Sequence, residues 1–103
     1  MIRLGIIGNN HLLMRLVSKH LIYRHKFVNY TNNNLCKYGL YVSPFVNTDD
    51  KFKRLKGLNF KFITIDDNIN IPFDYKINPS HNLHKILKDL DKIVDTHIIN
   101  ELI

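Results

Sequence analysis

The chain has 103 residues, of which 45% are hydrophobic and 23% charged, and its 15 Lys or Arg against nine acids give a formal net charge of +6. That is enough apolar material for one small core and one domain. Four Gly and three Pro exclude collagen-like, mucin-like and wholly disordered classes, and no apolar stretch approaches the roughly 20 residues that a bilayer crossing needs.

Arg3-Leu4-Gly5-Ile6-Ile7-Gly8 reads as a short buried strand. Asn9 and Asn10 follow as candidate helix caps, and then Leu12, Leu13, Leu16, Val17 and Leu21 recur at helical spacing. Phe27-Val28-Asn29-Tyr30-Thr31 predicts a second strand, closed by the loop-forming Asn32-Asn33-Asn34. Gly39-Leu40-Tyr41-Val42-Ser43 predicts a third, which Pro44 is expected to stop because it lacks an amide donor.

Thr48 can cap a short helix over residues 49–56, with Asp49 and Asp50 in its first turn, Lys56 in its last and Gly57 as its stop. Residues 60–65 form the clearest strand pattern and end at Asp66-Asp67-Asn68. A linker containing Pro72 and Pro79 leads to Ser80, the expected cap of a long helix. Its Leu83, Ile86, Leu87, Leu90, Val94, Ile98 and Leu102 share one face. Strands alternating with helices imply a small Rossmann-like α/β layered domain, with a parallel sheet of about four strands and three helices. Ligands of such sheets usually sit beyond the carboxyl ends of the strands, here residues 8–11, 31–34, 43–47 and 66–70.

The turn after Gly8 begins like a dinucleotide-binding fingerprint, but Asn10 and Leu13 stand where its second and third glycines belong. No acid follows the second strand at the ribose position, and no Gly-Lys-Ser or Gly-Lys-Thr occurs. His11, His20, His25, His81, His84 and His97 show no metal-ligand spacing, and Cys36 is the single cysteine. Asp66 and Asp67, as neighbours at a strand end, suit turn and cap acceptance better than acid–base work. Neither the serines nor Cys36 have a base at a recognised spacing. The expectation is therefore a non-enzymatic, soluble protein without cofactor, metal, membrane or small-molecule substrate. No export signal is visible, and with no disulfide framework the expected surroundings are reducing.

Charge carries more information. Residues 1–61 hold 11 Lys or Arg and only Asp49 and Asp50, a net +9, whereas residues 62–103 are net −3. Arg15, Lys19, Arg24, His25 and Lys26 lie on or just after the first helix, and Lys51, Lys53, Arg54 and Lys56 crowd the second. Solvated helix faces usually mix both signs. A run of cations without acids instead fits a surface that tracks RNA phosphates, with no base-specific reader implied. The 13 Asn, 14 Ile and 11 Lys, with no Ala, Gln or Trp, point to AT-rich coding, as in an organelle, a virus or a parasite.

From Leu40 onward the chain resembles the second protein of the small ribosomal subunit in its bacterial and organellar form. Leu40-Tyr41-Val42-Ser43-Pro44 takes the place of a family strand ending in Asp-Pro. Ile65-Asp66-Asp67-Asn68 takes that of a strand ending in Val-Asp-Thr-Asn, and Asp74-Tyr75-Lys76-Ile77 that of the start of its Asp-Tyr-Pro-Ile-Pro linker. The spacing from Pro44 to Asn68 matches without a gap. Ser43 replaces the family aspartate, the second linker proline is shifted to Pro79, and the family's coiled-coil insertion after its second strand is replaced by a short loop. The resemblance implies a reduced or split form, located in mitochondria, that binds ribosomal RNA and neighbouring small-subunit proteins without catalysis. The alternatives on residues alone are a degenerate Rossmann-like nucleotide-binding or enzyme domain, and a viral assembly protein.

Overall fold

The computed structural model describes residues 2–8, 10–31, 39–45, 49–66 and 72–102. Five strands, β1 (Ile2–Ile7), β2 (Val28–Asn29), β3 (Leu40–Phe45), β4 (Lys61–Thr64) and β5 (Tyr75–Lys76), form one sheet in the order β2-β3-β1-β4-β5, with every pairing parallel. Among the described residues three helices accompany it: α1 (His11–His25), α2 (Asp49–Gly57) and α3 (Leu83–Leu102). The chain is a layered α/β domain of the small Rossmann-like kind, as the alternation of its apolar segments predicts. Among the described residues no helix is long and apolar enough to cross a membrane.

A parallel sheet is covered on both faces, so its central strand is mostly apolar, with Arg3 the one charged residue of β1. In β1, Ile2, Leu4 and Ile6 face one layer and Ile7 the other, following the period of two. The first layer is the larger core: Met14, Val17 and Leu21 of α1 and Ile86, Leu90 and Val94 of α3 pack on Leu4, Ile6, Val42, Ile63 and Ile65. Across the sheet, Leu55 of α2 packs with Ile7, Tyr41, Phe60 and Phe62. Thus α1 and α3 share one face of the sheet while α2 covers the other.

Several boundaries differ from those expected, each for a local reason. The fifth strand lies within the expected linker. Asp74 N–H donates to Phe62 O at 3.0 Å, Phe62 N–H donates to Asp74 Oδ2 at 2.8 Å, and Ile77 N–H donates to Thr64 O at 2.9 Å. The second strand shrinks to two residues at the sheet edge. Pro44 does not stop β3 but pairs with Ile6 inside it. The carbonyl of Val42 accepts from Tyr30 N–H on the β2 side, and residues two apart point the same way. Pro44 nitrogen therefore faces the side where the β2 ladder, which ends at Asn29 and Val42, has already finished.

The helix ends shift as well. Asn82, not Ser80, caps α3: its Oδ1 accepts from Lys85 N–H at 2.9 Å, whereas Ser80 N–H donates to Asn78 Oδ1 in a turn before it. Gly57 lies within α2, and the left-handed residue beyond it is Asn59, at φ 66°. Phe60 N–H closes that turn onto Leu55 O at 3.1 Å. Asn10 caps α1 as expected, accepting from Leu13 N–H at 3.0 Å, and Lys26 ends it at φ 63°. Gly39, at φ 141°, is the position that needs glycine, since a Cβ there would lie 3.0 Å from the Tyr41 ring. The expected features at Asn9, Asn32–Asn34, Cys36, Thr48, Asp67 and Asn68, and the side chains of His97, Ile98 and Leu102, lie outside the described residues.

Candidate nucleic-acid interface

With Met14, Val17, Ser18 and Leu21 turned to the core, the 3.6-residue period places Arg15 and Lys19 on the outer side of α1, and both are exposed. Leu12, Leu16, Lys19 and Tyr23, spaced by three or four, form one outer stripe. Leu12 is 65% exposed and Tyr23 74%. Helical spacing alone had grouped Leu12 and Leu16 with the core residues. Tyr23 was not singled out by the sequence at all. Its exposure among Lys19, Arg24 and Lys26 makes its ring available to stack on a base, as aromatic side chains do in RNA recognition.

On the opposite face of the sheet, α2 buries Leu55 and exposes Lys53, Arg54 and Lys56, while Lys51 is half-buried. Lys56 Nζ stands 5.8 Å from the centre of the Phe52 ring, which packs at 4.7 Å on Phe62. Among the described residues no carboxylate pairs with Arg15, Lys19, Lys53, Arg54 or Lys56. The two basic sets foreseen in the sequence are thus both present but not brought together. They flank a body whose extents are 35 × 29 × 23 Å.

Two acids of α3, Asp89 and Asp91, are used internally. Asp91 on α3 takes three partners from α1: His20 Nε2 at 2.8 Å and His25 Nε2 at 2.7 Å, both on Oδ1, and Arg24 Nε at 3.7 Å from Oδ2. His25, expected on the RNA surface, is instead half-buried against α3. Arg24 remains exposed but shares the field of Asp91, and Lys26 Nζ donates to Tyr23 O at 3.1 Å. Asp89 binds Lys85 at 3.1 Å, and the Lys85 hydrogen bond holds its carboxyl below the ordinary range.

Burial alone would raise the pKa of Asp91, but the hydrogen bonds from His25 and His20, together with their charge, outweigh it and lower the carboxyl. A carboxylate pKa lower in the folded than in the unfolded chain adds stability that is complete above the unfolded value, about 3.9. That stability is lost as pH falls through the folded value. The advantage in melting temperature of the native chain over Asp91→Asn is therefore expected to shrink as pH falls below about 4. An advantage that grew as pH fell below about 4 would contradict the bonding at this carboxylate.

A cavity of about 630 Å³ opens beside α2, lined among others by Arg3, Lys56, Lys61, Phe52, Phe62 and Phe73. It lies by the amino ends of β1 and β4, whereas ligands of parallel sheets usually bind at the carboxyl ends. At the carboxyl end of β1, the side chain of Asn10 occupies the helix terminus that a phosphate would need. Gly8 there has ordinary space for a Cβ, 3.5 Å from Met14, so no close backbone approach explains it. Arg3 and Lys61, which sequence spacing could not connect, thus join Lys56 beside exposed aromatic surface. These features define a small three-layer α/β domain with two basic helical faces. No family model, curated protein or solved structure matches the chain.

Proposed function

We propose that this chain is a non-catalytic, RNA-binding structural component of a small ribosomal subunit, of mitochondrial type, held between ribosomal RNA and neighbouring ribosomal proteins. The observation that carries the reading is the pair of exposed basic helices on opposite faces of one thin sheet. Cations on two faces suit a body wedged between RNA segments better than one lying on a single duplex. In this reading Arg15, Lys19, Arg24 and Lys26 contact phosphates on one side and Lys51, Lys53, Arg54 and Lys56 on the other. The Leu12, Leu16 and Tyr23 stripe adds apolar surface for bases or for an adjoining protein. The motif resemblance from Leu40 onward and the AT-rich residue usage support the ribosomal and mitochondrial parts of the proposal.

The second reading, a nucleotide- or ligand-binding domain, draws its support from the aromatic and cationic walls of the cavity by α2. Sedimentation of native extract through a sucrose gradient, with the chain followed by mass spectrometry, separates the two. Co-migration with the small subunit, reduced by a high-salt wash, is the expected result. Migration as a free small protein would overturn the ribosomal reading, and a nucleotide panel scored by melting temperature would then test the cavity.

A further inference from the structure

A second site borders the basic surface of α1, where Arg24 lies 3.7 Å from Asp91. His20 and His25 near the end of α1 turn their Nε2 atoms onto one oxygen of Asp91 in α3, at 2.8 and 2.7 Å, and the three ligand atoms lie within 4.8 Å of one another. The side chains are 20%, 13% and 26% exposed, which leaves a path from solvent while most of the first layer around the site is protein. The ring centres are 5.8 Å apart at an interplanar angle of 69°, so two imidazole edges and one carboxylate converge from two helices.

We propose that His20, His25 and Asp91 bind a zinc-class divalent ion that ties α1 to α3. Two imidazole nitrogens and one carboxylate oxygen are a ligand set that zinc accepts, with water completing a tetrahedron. Zinc-to-ligand bonds of about 2.0–2.2 Å put tetrahedral neighbours about 3.3 Å apart. The two nitrogen–oxygen distances therefore need to open by only about half an ångström, within the reach of small side-chain rotations. A carboxylate only accepts, so in the metal-free protein both rings donate from Nε2–H. Metal binding replaces those two donations: the proton leaves each Nε2, passing to Nδ1 of a neutral ring or to solvent from an imidazolium, and the freed Nε2 lone pair goes to the ion. Arg24, near the other oxygen of Asp91, is 65% exposed and can turn into solvent as the ion enters. Binding would exchange the two hydrogen bonds that join α1 to α3 at Asp91 for coordination to one ion.

The proposed ligands include none of the groups that the proposed function assigns to RNA phosphates, and the test uses RNA-free protein, so its failure leaves the ribosomal proposal standing. Zinc chloride is titrated into the purified full chain and followed by calorimetry and melting temperature. One ion per chain and a raised melting temperature are expected. His20→Gln, His25→Gln and Asp91→Asn should each weaken binding by more than about tenfold, the lower end of losses seen even for outer-sphere partners. His81→Gln with His84→Gln should leave it unchanged. If the single variants do not fold, cobalt(II) decides on the native chain: a four-coordinate visible spectrum abolished by zinc supports the site, and its absence overturns it. Zinc binding that is undetectable, or equal in native chain and folded variants, also overturns it.

Discussion

Raising monovalent salt from about 50 to about 200 mM should lower the affinity of this protein for small-subunit ribosomal RNA by about 10³-fold or more, measured by filter binding or fluorescence anisotropy. The magnitude follows from the number of phosphates neutralised, because each contact contributes about 0.7–0.9 to the logarithmic salt slope. If the cations of α1 and α2 both engage, six to eight contacts form. If only one face engages, about four contacts remain and the loss is closer to 10²-fold. Arg15→Gln with Lys19→Gln, and separately Lys53→Gln with Arg54→Gln, should each reduce the slope by about two. A slope altered by only one of these pairs would place RNA on a single face and remove the wedge geometry. Salt-independent binding would remove the phosphate mechanism itself.

Leu90→Ala should lower unfolding free energy by about 2–5 kcal/mol, the range for deleting a buried leucine side chain and leaving a cavity. Leu90 is fully buried in α3, within the larger of the two cores. In a domain of this size, total stability is of order 5–15 kcal/mol, so the melting temperature should fall by more than about 10 °C. Leu12→Ala provides the contrast. Its side chain is mostly exposed on α1, and a change within about 0.5 kcal/mol is expected from denaturant unfolding. Equal losses at the two leucines would mean that Leu12 is buried in the folded protein, contrary to the packing of α1.

Both leucines occur at helical apolar spacing, so the difference between them shows where reading the chain stops. Largely apolar runs in residues 2–7 and 60–65, interrupted by Arg3 and by Lys61 and Thr64, alternate with helical periods and point to a parallel sheet. The last helix is equally legible, because Ile86, Leu90 and Val94 recur at the spacing that one buried face demands. The charge asymmetry is also a property of sequence alone.

What the sequence could not reveal depends on partners distant in the chain. Leu12 and Leu16 satisfy the helical period, yet α1 has one side against the sheet and the other in solvent, and only packing selects which side holds them. Tyr75 and Lys76 carry too short a pattern to announce a strand; their pairing rests on Phe62 and Thr64 and on the Asp74 side chain. Pro44 is admissible in β3 because the neighbouring ladder ends at Val42, a fact of sheet order and not of local propensity. The histidines look scattered because their common partner, Asp91, is 71 residues from His20 and 66 from His25. The separation of the basic sets onto two faces likewise follows from α2 crossing to the far side of the sheet. Local spacing determines which elements form and which residues are charged or apolar; the tertiary arrangement decides which of them meet, because contact depends on position in space after the chain has folded back on itself.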